Sequence, residues 1–246
     1  MKGFIFLMAL SLMLSTSVPS ASAFYKGFAE DLQQERQSEK SKKETYHHIF
    51  LKLQAEELGI ETEGKDKEQL HKEVAERKIK QSAKEKGVET DGKDVKELAK
   101  EVHHAEVKEK AEELGIKIKG KDPQLLAEEV YEKLLNQRAK ELGVDPAGKD
   151  IEELKKVVME ASIKQKANAL NIKTEEKDVG ELRKAIHEKK IFQTAEELGI
   201  NTDGRNAEKL LDEIMTKHAK EAKKQKLYPF EKKEGVLFQG HHMGEK

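Results

Sequence analysis

Apolar and polar positions along the chain repeat with a period of 28 residues. A leucine, an alanine and a glycine each recur at this spacing in six consecutive copies without any insertion. The leucines are Leu70, Leu98, Leu126, Leu154, Leu182 and Leu210, the alanines are Ala55, Ala83, Ala111, Ala139, Ala167 and Ala195, and the third column holds Gly59, Gly87, Gly115, Gly143, Asn171 and Gly199. Such a period is typical of repeat proteins, in which each copy packs on its neighbours.

A column of helix-capping residues marks where the helix of each copy begins. It consists of Asp66, Asp94, Asp122, Asp150, Asp178 and Asn206, all of which favour helix N-caps. Three positions later, as in a capping box, stand Gln69, Glu97, Glu153 and Glu181. Pro123 directly follows its cap, at the helical position where proline is favoured. We therefore predict a helix from Asp66 to about Lys86, roughly 20 residues and 30 Å long, and its equivalents in the other copies.

The glycine column predicts where each helix ends. Glycine adopts a left-handed backbone conformation without steric cost, and asparagine is the next best residue there, so Asn171 fits the column. The following apolar residue, such as Ile60, is expected to fold back onto the alanine of the same copy, as in a Schellman motif. A second glycine marks a turn in the link to the next helix, with Glu176 as its one departure. These link glycines are Gly64, Gly92, Gly120, Gly148 and Gly204.

The apolar face of each predicted helix reverses half way along its length. Leu70 and Val74 lie on one side of the helix, whereas Ile79 and Ala83 lie on the other. Each small core is therefore expected to form across a link, and one such core comprises Leu51, Ala55, Leu58, Ile60, Leu70 and Val74. We predict an all-α, elongated array of six helix-extended loop-helix repeats that share continuous helices, with ends that fray first. A long charged coiled coil is the alternative, but the links and the face reversal interrupt any heptad pattern.

The segment from Leu51 to Val74 resembles the helix-extended loop-helix group, which includes the SAP, LEM, HeH and Rho N-terminal motifs. The resemblance rests on the pattern Leu-x-x-x-Ala-x-x-Leu-Gly-Ile-x-Thr-x-Gly-Lys-x-x-x-x-Leu-x-x-x-Val. Members of this group often bind nucleic acid through basic residues of the link. The resemblance implies that the matching contact positions for nucleic acid or another partner are Lys65, Lys93, Lys121, Lys149, Lys177 and Arg205.

The charge balance favours a solvated helix surface over a nucleic-acid footprint. The 246 residues include 47 basic and 48 acidic side chains, and five of the six link cations are followed directly by aspartate. A nucleic-acid interface requires an excess of basic groups, which this balance does not provide. The absence of cysteine excludes disulfide scaffolds, cysteine-ligated zinc sites and thiol catalysis.

No pattern of residues indicates an active site. The nine histidines include the adjacent pairs His47-His48, His103-His104 and His241-His242, and adjacent side chains on a helix point about 100° apart, so they do not converge on a metal. The sequence also lacks phosphate-binding, dinucleotide-binding and serine-hydrolase motifs. We therefore predict no catalytic, cofactor-binding or metal-binding residues and no enzymatic activity.

The two ends of the chain differ from the repeats. Lys2, the apolar run that follows it and the sequence Ala21-Ser22-Ala23 predict a signal peptide over residues 1–23, with a mature start at Phe24 and no membrane span in the mature chain. Residues 24–44 form a polar leader, residues 45–219 the helical array, and residues 220–246 a basic tail whose composition favours disorder. Export without cysteine suits a bacterial secreted protein.

These expectations define a non-enzymatic repeat protein that is exported from the cell. We expect it to act as an interaction or scaffolding module at the cell surface, in the wall or in the extracellular matrix, with a protein or a wall or matrix polymer as partner. One alternative is a secreted or surface nucleic-acid-binding protein that uses the link lysines. An enzyme helper or inhibitor is a third hypothesis.

Overall fold

A computed structural model describes residues 40–231, and these residues form helices with no β-strand among them. The chain divides into two compact units, Met1–Thr45 and Tyr46–Lys246. Helix α1 covers residues 40–57 of the described chain. It is followed by α2 (Lys67–Glu85), α3 (Val95–Glu113), α4 (Pro123–Glu141), α5 (Ile151–Ala169), α6 (Val179–Glu197), α7 (Ala207–Lys217) and α8 (Ala219–Lys224). From α2 to α8 each helix packs against the next along the chain, which confirms the predicted all-α array.

The capping column begins the helices as the sequence predicts. Asp66 accepts a hydrogen bond from the backbone N–H of Gln69 at 2.9 Å, and the Gln69 side chain accepts one from the Asp66 N–H at 3.0 Å. The same reciprocal capping box joins Asp178 and Glu181. Asp122 accepts from the second helical residue of α4, directly after Pro123. These bonds satisfy backbone donors that have no partner within the helix, so the start of each helix is fixed by local chemistry.

The glycine column ends the helices in the expected left-handed conformation. Gly59 has a φ of 67°, and Asn171 has a φ of 56°. The Ile60 N–H then donates to the Ala55 carbonyl at 2.8 Å, which is the long-range bond of a Schellman motif. Val88, Ile116, Val144, Ile172 and Ile200 make the same bond to the alanine of their own copies. Glu176 occupies the link-glycine position with a φ of 63°, so the departure in sequence leaves the turn itself unchanged.

Most buried apolar side chains of the described residues fall into six clusters, each spanning a link. One of them comprises Leu51, Ala55, Ile60, Leu70 and Val74, with Leu58 packed against it, as predicted. The helices α2 to α6 are each 19 residues long and unbroken, and their two halves contribute to different clusters. The predicted reversal of the apolar face is therefore confirmed, and each helix couples two neighbouring cores.

The part of the predicted disordered tail that the structure describes is ordered, which corrects that expectation. Residues 219–224 form α8, and Leu227 and Phe230 pack against the last core. The Leu227 N–H donates to the Ala222 carbonyl at 2.9 Å, and Lys226 has a φ of 57°, so α8 ends like the repeat helices. The apolar residues after α8 are partly buried on a preformed core. The free energy gained from this burial orders the segment even though its composition is mainly polar.

The contacts of the second compact unit also bring its two terminal helices together, which the sequence did not indicate. The Nζ of Lys223, in α8, donates to the Leu53 carbonyl of α1 at 2.7 Å. Tyr46 and Asp212, which are 166 residues apart, share a hydrogen bond. The first and last helices of this unit are therefore neighbours. The predicted signal peptide, most of the leader and the tail after residue 231 lie outside the described residues.

Candidate interaction surfaces

Four of the six link cations are paired with a glutamate of their own copy. The Nζ of Lys65 lies 2.5 Å from a carboxylate oxygen of Glu73, and that of Lys93 lies 2.6 Å from Glu101. Lys121 pairs with Glu129 in the same way, and Arg205 lies 2.6 Å from Glu213. The link thus folds back beside the second turn of the helix that it precedes. These predicted contact residues are already engaged within the fold, and binding of a phosphate would compete with a carboxylate.

The fourth and fifth copies lack this glutamate. Val157 and Ala185 occupy its position, so neither can pair with the cation of its link. The Nζ of Lys149 instead donates to the Asp145 carbonyl at 2.8 Å. Lys177 makes no hydrogen bond or ion pair within residues 40–231 and is exposed. Lys149 and Lys177 therefore retain a charge that no side-chain carboxylate neutralises, so the six predicted contact positions are not equivalent.

A second candidate surface lies where α8 and the residues after it meet α1, and we call it the closing contact. Lys223 donates to the Leu53 carbonyl and, at 2.8 Å, to a carboxylate oxygen of Glu57. Lys220 lies 3.0 Å from a carboxylate oxygen of Glu56. The rings of Phe50 and Phe230 pack with their centroids 4.6 Å apart. Two lysines of the last helix therefore face two glutamates of the first, beside an aromatic pair.

Tyr46 and Asp212 connect α1 to α7 at the same junction. The Tyr46 hydroxyl donates to a carboxylate oxygen of Asp212 at 3.2 Å. Burial, and secondly the nearby Asp212 carboxylate, raises the pKa of Tyr46 from 10.0 to about 12. On the other side of the contact, the hydrogen bond from Lys223 lowers the pKa of the Glu57 carboxyl. Both shifts stabilise the protonation states that these groups have at neutral pH.

Helix α1 is apolar at closing-contact positions where later copies are mainly polar. The column of Phe50 continues with Lys78, Glu106, Leu134, Ser162, Lys190 and His218. The column of Leu53, which is only 7% exposed, continues with Gln81, Glu109, Gln137, Gln165, Gln193 and Glu221. The apolar residues at these two positions of α1, in columns that are mainly polar in the later copies, are thus the sequence signal that marks this surface.

The segment after α8 is also fixed to α6. The Tyr228 hydroxyl lies 2.5 Å from Nδ1 of His187, and the two rings pack edge to face. Lys190 lies 2.5 Å from a carboxylate oxygen of Glu231 and 5.7 Å from the centre of the Tyr228 ring. Burial lowers the pKa of His187 and raises that of Tyr228, so both groups are held neutral. This arrangement anchors the segment and presents no convergent set of reacting groups.

The structure brings two histidines together from different helices, which the sequence did not indicate. The rings of His47 in α1 and His71 in α2 have centroids 6.4 Å apart. Within residues 40–231, no group of three or more histidine, aspartate or glutamate side chains is placed to hold a metal ion. The described helices also include none with the length and hydropathy needed to cross a bilayer.

Over residues 40–231 the fold and these surfaces define a class, namely an all-α array of consecutively packed helices in which the first and last described helices meet. No family model matches the chain, and the searches of curated proteins and of solved structures found no significant match either. The function must therefore be argued from the surfaces themselves.

Proposed function

We propose that the protein is an exported, non-enzymatic interaction or scaffolding module that acts at the cell surface, in the wall or in the extracellular matrix. The observation that carries the proposal is how the buried side chains are used. Among residues 40–231 the buried side chains are apolar apart from Thr194, and most of them belong to the clusters that join consecutive helices. The apolar residues thus maintain the array, and the charged surface is left to meet a partner.

The small size of each core supports a surface role. A cluster such as Val107, Ala111, Ile116, Leu126 and Val130 is filled by side chains from two successive helices and the link between them. Enzymes usually bind substrates in a deep concave site that gathers several polar groups. An array of small filled cores instead offers a long, repeated outer surface, which suits binding to a protein or to a wall or matrix polymer.

The surface charges point to a partner recognised through many weak polar contacts. Basic and acidic side chains are nearly equal in number across the chain, and several ion pairs of the described residues join side chains three or four positions apart on the surface of one helix. Exposed ion pairs of this kind contribute little to stability, about 0–1 kcal/mol each. They remain free to exchange partners, so such a surface favours a partner that also carries charges of both signs.

Retention on immobilised candidates tests the proposal. The chain from Phe24 onward is applied to purified cell wall, to extracellular protein and to duplex DNA, at low and at physiological salt. We expect retention on wall or protein that persists at physiological salt, and no retention on DNA. Retention on DNA alone, falling steeply with salt, would overturn the proposal in favour of nucleic-acid binding.

The second candidate function is nucleic-acid binding through the link cations, and Lys149 and Lys177 are the observation that favours it. These two lack the glutamate that pairs with the others, and residues 164–191 contain eight basic and five acidic side chains. If DNA binds there, the double variant K149Q/K177Q should lower the slope of log affinity against log salt by about 2 units. The matched variant K65Q/K93Q, which removes cations that are already paired, should change the slope much less.

A further inference from the structure

The closing contact joins two different surfaces of one chain. It differs in its packing from the contacts between consecutive helices, which we call the joints of the array. The joint between α2 and α3 buries Leu98 completely, together with Ala83 and Val102. No cluster of buried side chains joins α1 to α8 among the described residues; the closing contact combines the buried Leu53 with one aromatic pair and with polar contacts at its margin. The Lys220 side chain is 76% exposed and the Glu57 side chain is 68% exposed.

The closing contact is therefore expected to open before the joints do. Exposed ion pairs are weak because solvent screens them, whereas an apolar core must be exposed to water when it separates. Regions with few buried apolar contacts open most readily in native proteins. Opening exposes the Phe50 ring on α1 and the part of the Phe230 ring that contacts it, while Phe230 keeps its contact with the last core.

The two exposed surfaces are complementary, and nothing in their chemistry restricts the pairing to one chain. The end near α8 offers Lys220, Lys223 and the Phe230 ring, and α1 offers Glu56, Glu57 and the Phe50 ring. A contact between two unlike surfaces joins copies head to tail, into a closed ring or an open chain. We propose that the closing contact also forms between copies, so that the α8 segment of one copy binds α1 of the next.

Concentration decides which pairing occurs. Two ends of one chain meet at an effective concentration on the order of millimolar, so closure within the chain is favoured in dilute solution. Pairing between copies is favoured where the protein is concentrated, as on a surface, or where closure within the chain is weakened. This self-association goes beyond the proposed function and does not depend on it.

Complementary charge variants separate the two pairings. The variant E56K/E57K makes the α1 end basic, and K220E/K223E makes the α8 end acidic, so each variant opposes its own closure by like charges. In an equimolar mixture the altered ends match each other and the two unaltered ends also match. We expect each variant alone to be monomeric at micromolar concentration and the mixture to form a species of twice the mass, measured by light scattering after size-exclusion chromatography.

Two controls make the result specific. The variant that combines all four substitutions in one chain restores closure and should stay monomeric. Glu112 and Glu113 occupy the same repeat positions as Glu56 and Glu57 in the third copy, away from the closing contact. A mixture of E112K/E113K with K220E/K223E should therefore remain monomeric. Circular dichroism confirms that each variant is folded. If the matched mixture stays monomeric, or if the E112K/E113K mixture associates equally well, the proposal is overturned.

Discussion

Replacement of Glu176 by glycine should stabilise the protein, although it removes a side chain. Glu176 has a left-handed backbone with a φ of 63°, at the link position that the other five copies fill with glycine. Its side chain is exposed, so the substitution leaves no cavity. The effect on stability therefore comes almost entirely from the backbone.

The expected change in the free energy of unfolding for E176G follows from two opposing contributions. A residue other than glycine in the left-handed conformation costs about 1–2 kcal/mol. Glycine loses about 0.5–1 kcal/mol more conformational entropy on folding. The net gain for E176G is then about 0.5–1 kcal/mol. The reverse change, G148E, should lose a similar amount, because a Cβ built on Gly148 meets no atom within 4 Å and adds no steric clash.

Urea denaturation followed by helical circular dichroism measures these changes. The matched control is E175G, at an exposed neighbour without a positive φ, which should destabilise the protein by up to about 1 kcal/mol. We expect the order of stability to be E176G, wild type, then E175G and G148E. If E176G is no more stable than wild type, or behaves like E175G, then the backbone strain assigned to Glu176 is wrong.

Three further predictions concern the core and the closing contact. L98A should destabilise by about 2–5 kcal/mol, since Leu98 is fully buried, whereas L125A, at a side chain that is 60% exposed, should cost under about 0.5 kcal/mol in the same urea assay. The lowered pKa of Glu57 means that its contribution to stability is present above its ordinary pKa and lost as the pH falls through the folded value. The hydrogen-exchange protection factors of α8, which correct for the intrinsic pH dependence of exchange, should therefore fall under acid conditions in wild type and fall less in E57Q. The raised pKa of Tyr46 means that its contribution is complete below pH 10 and lost as the pH rises to about 12; phenolate absorbance should show this late titration, and Y46F should remove it.

The starts, stops and cores of the helices could be predicted from the sequence because each depends on nearby residues. Asp66 and Gln69 are three positions apart, and Gly59 directly precedes the Ile60 whose N–H completes the helix stop. The six-fold recurrence of these signals separated them from the background of charged residues. The spacing of Leu70 and Val74 against Ala83 was enough to place the two apolar faces of the helix.

The residues that form the ion pairs of the links are present in the sequence, but their pairing could not be inferred from it. Lys65 and Glu73 are eight residues apart, which is not a spacing that brings side chains together on a helix. They meet because the link turns at Gly64 and runs beside the helix that follows. Prediction of these pairs required the path of the link, and without it the lysines resembled available nucleic-acid contacts.

The helix α8 was missed because the period changes by one residue. Ala222 and Lys226 follow Ala195 and Gly199 by 27 residues instead of 28, and a lysine stands where the other copies have glycine or asparagine. The columns therefore fail to align, and the lysine-rich composition then favoured disorder. The backbone bonds at Leu227 show that the same helix stop is made without the usual residue.

The closing contact changes how stability is shared along the array. In an open array the terminal helices have one neighbour each, so the ends are the least stable part and fray first. Here α1 packs on α2 and also meets α8, and the residues after α8 contact both α1 and α6. Each terminal helix thus has a neighbour on two sides, and fraying of either end must first break the closing contact. The apolar residues Phe50 and Leu53, which depart from the pattern of the later copies, are the part of the sequence that makes this second neighbour possible.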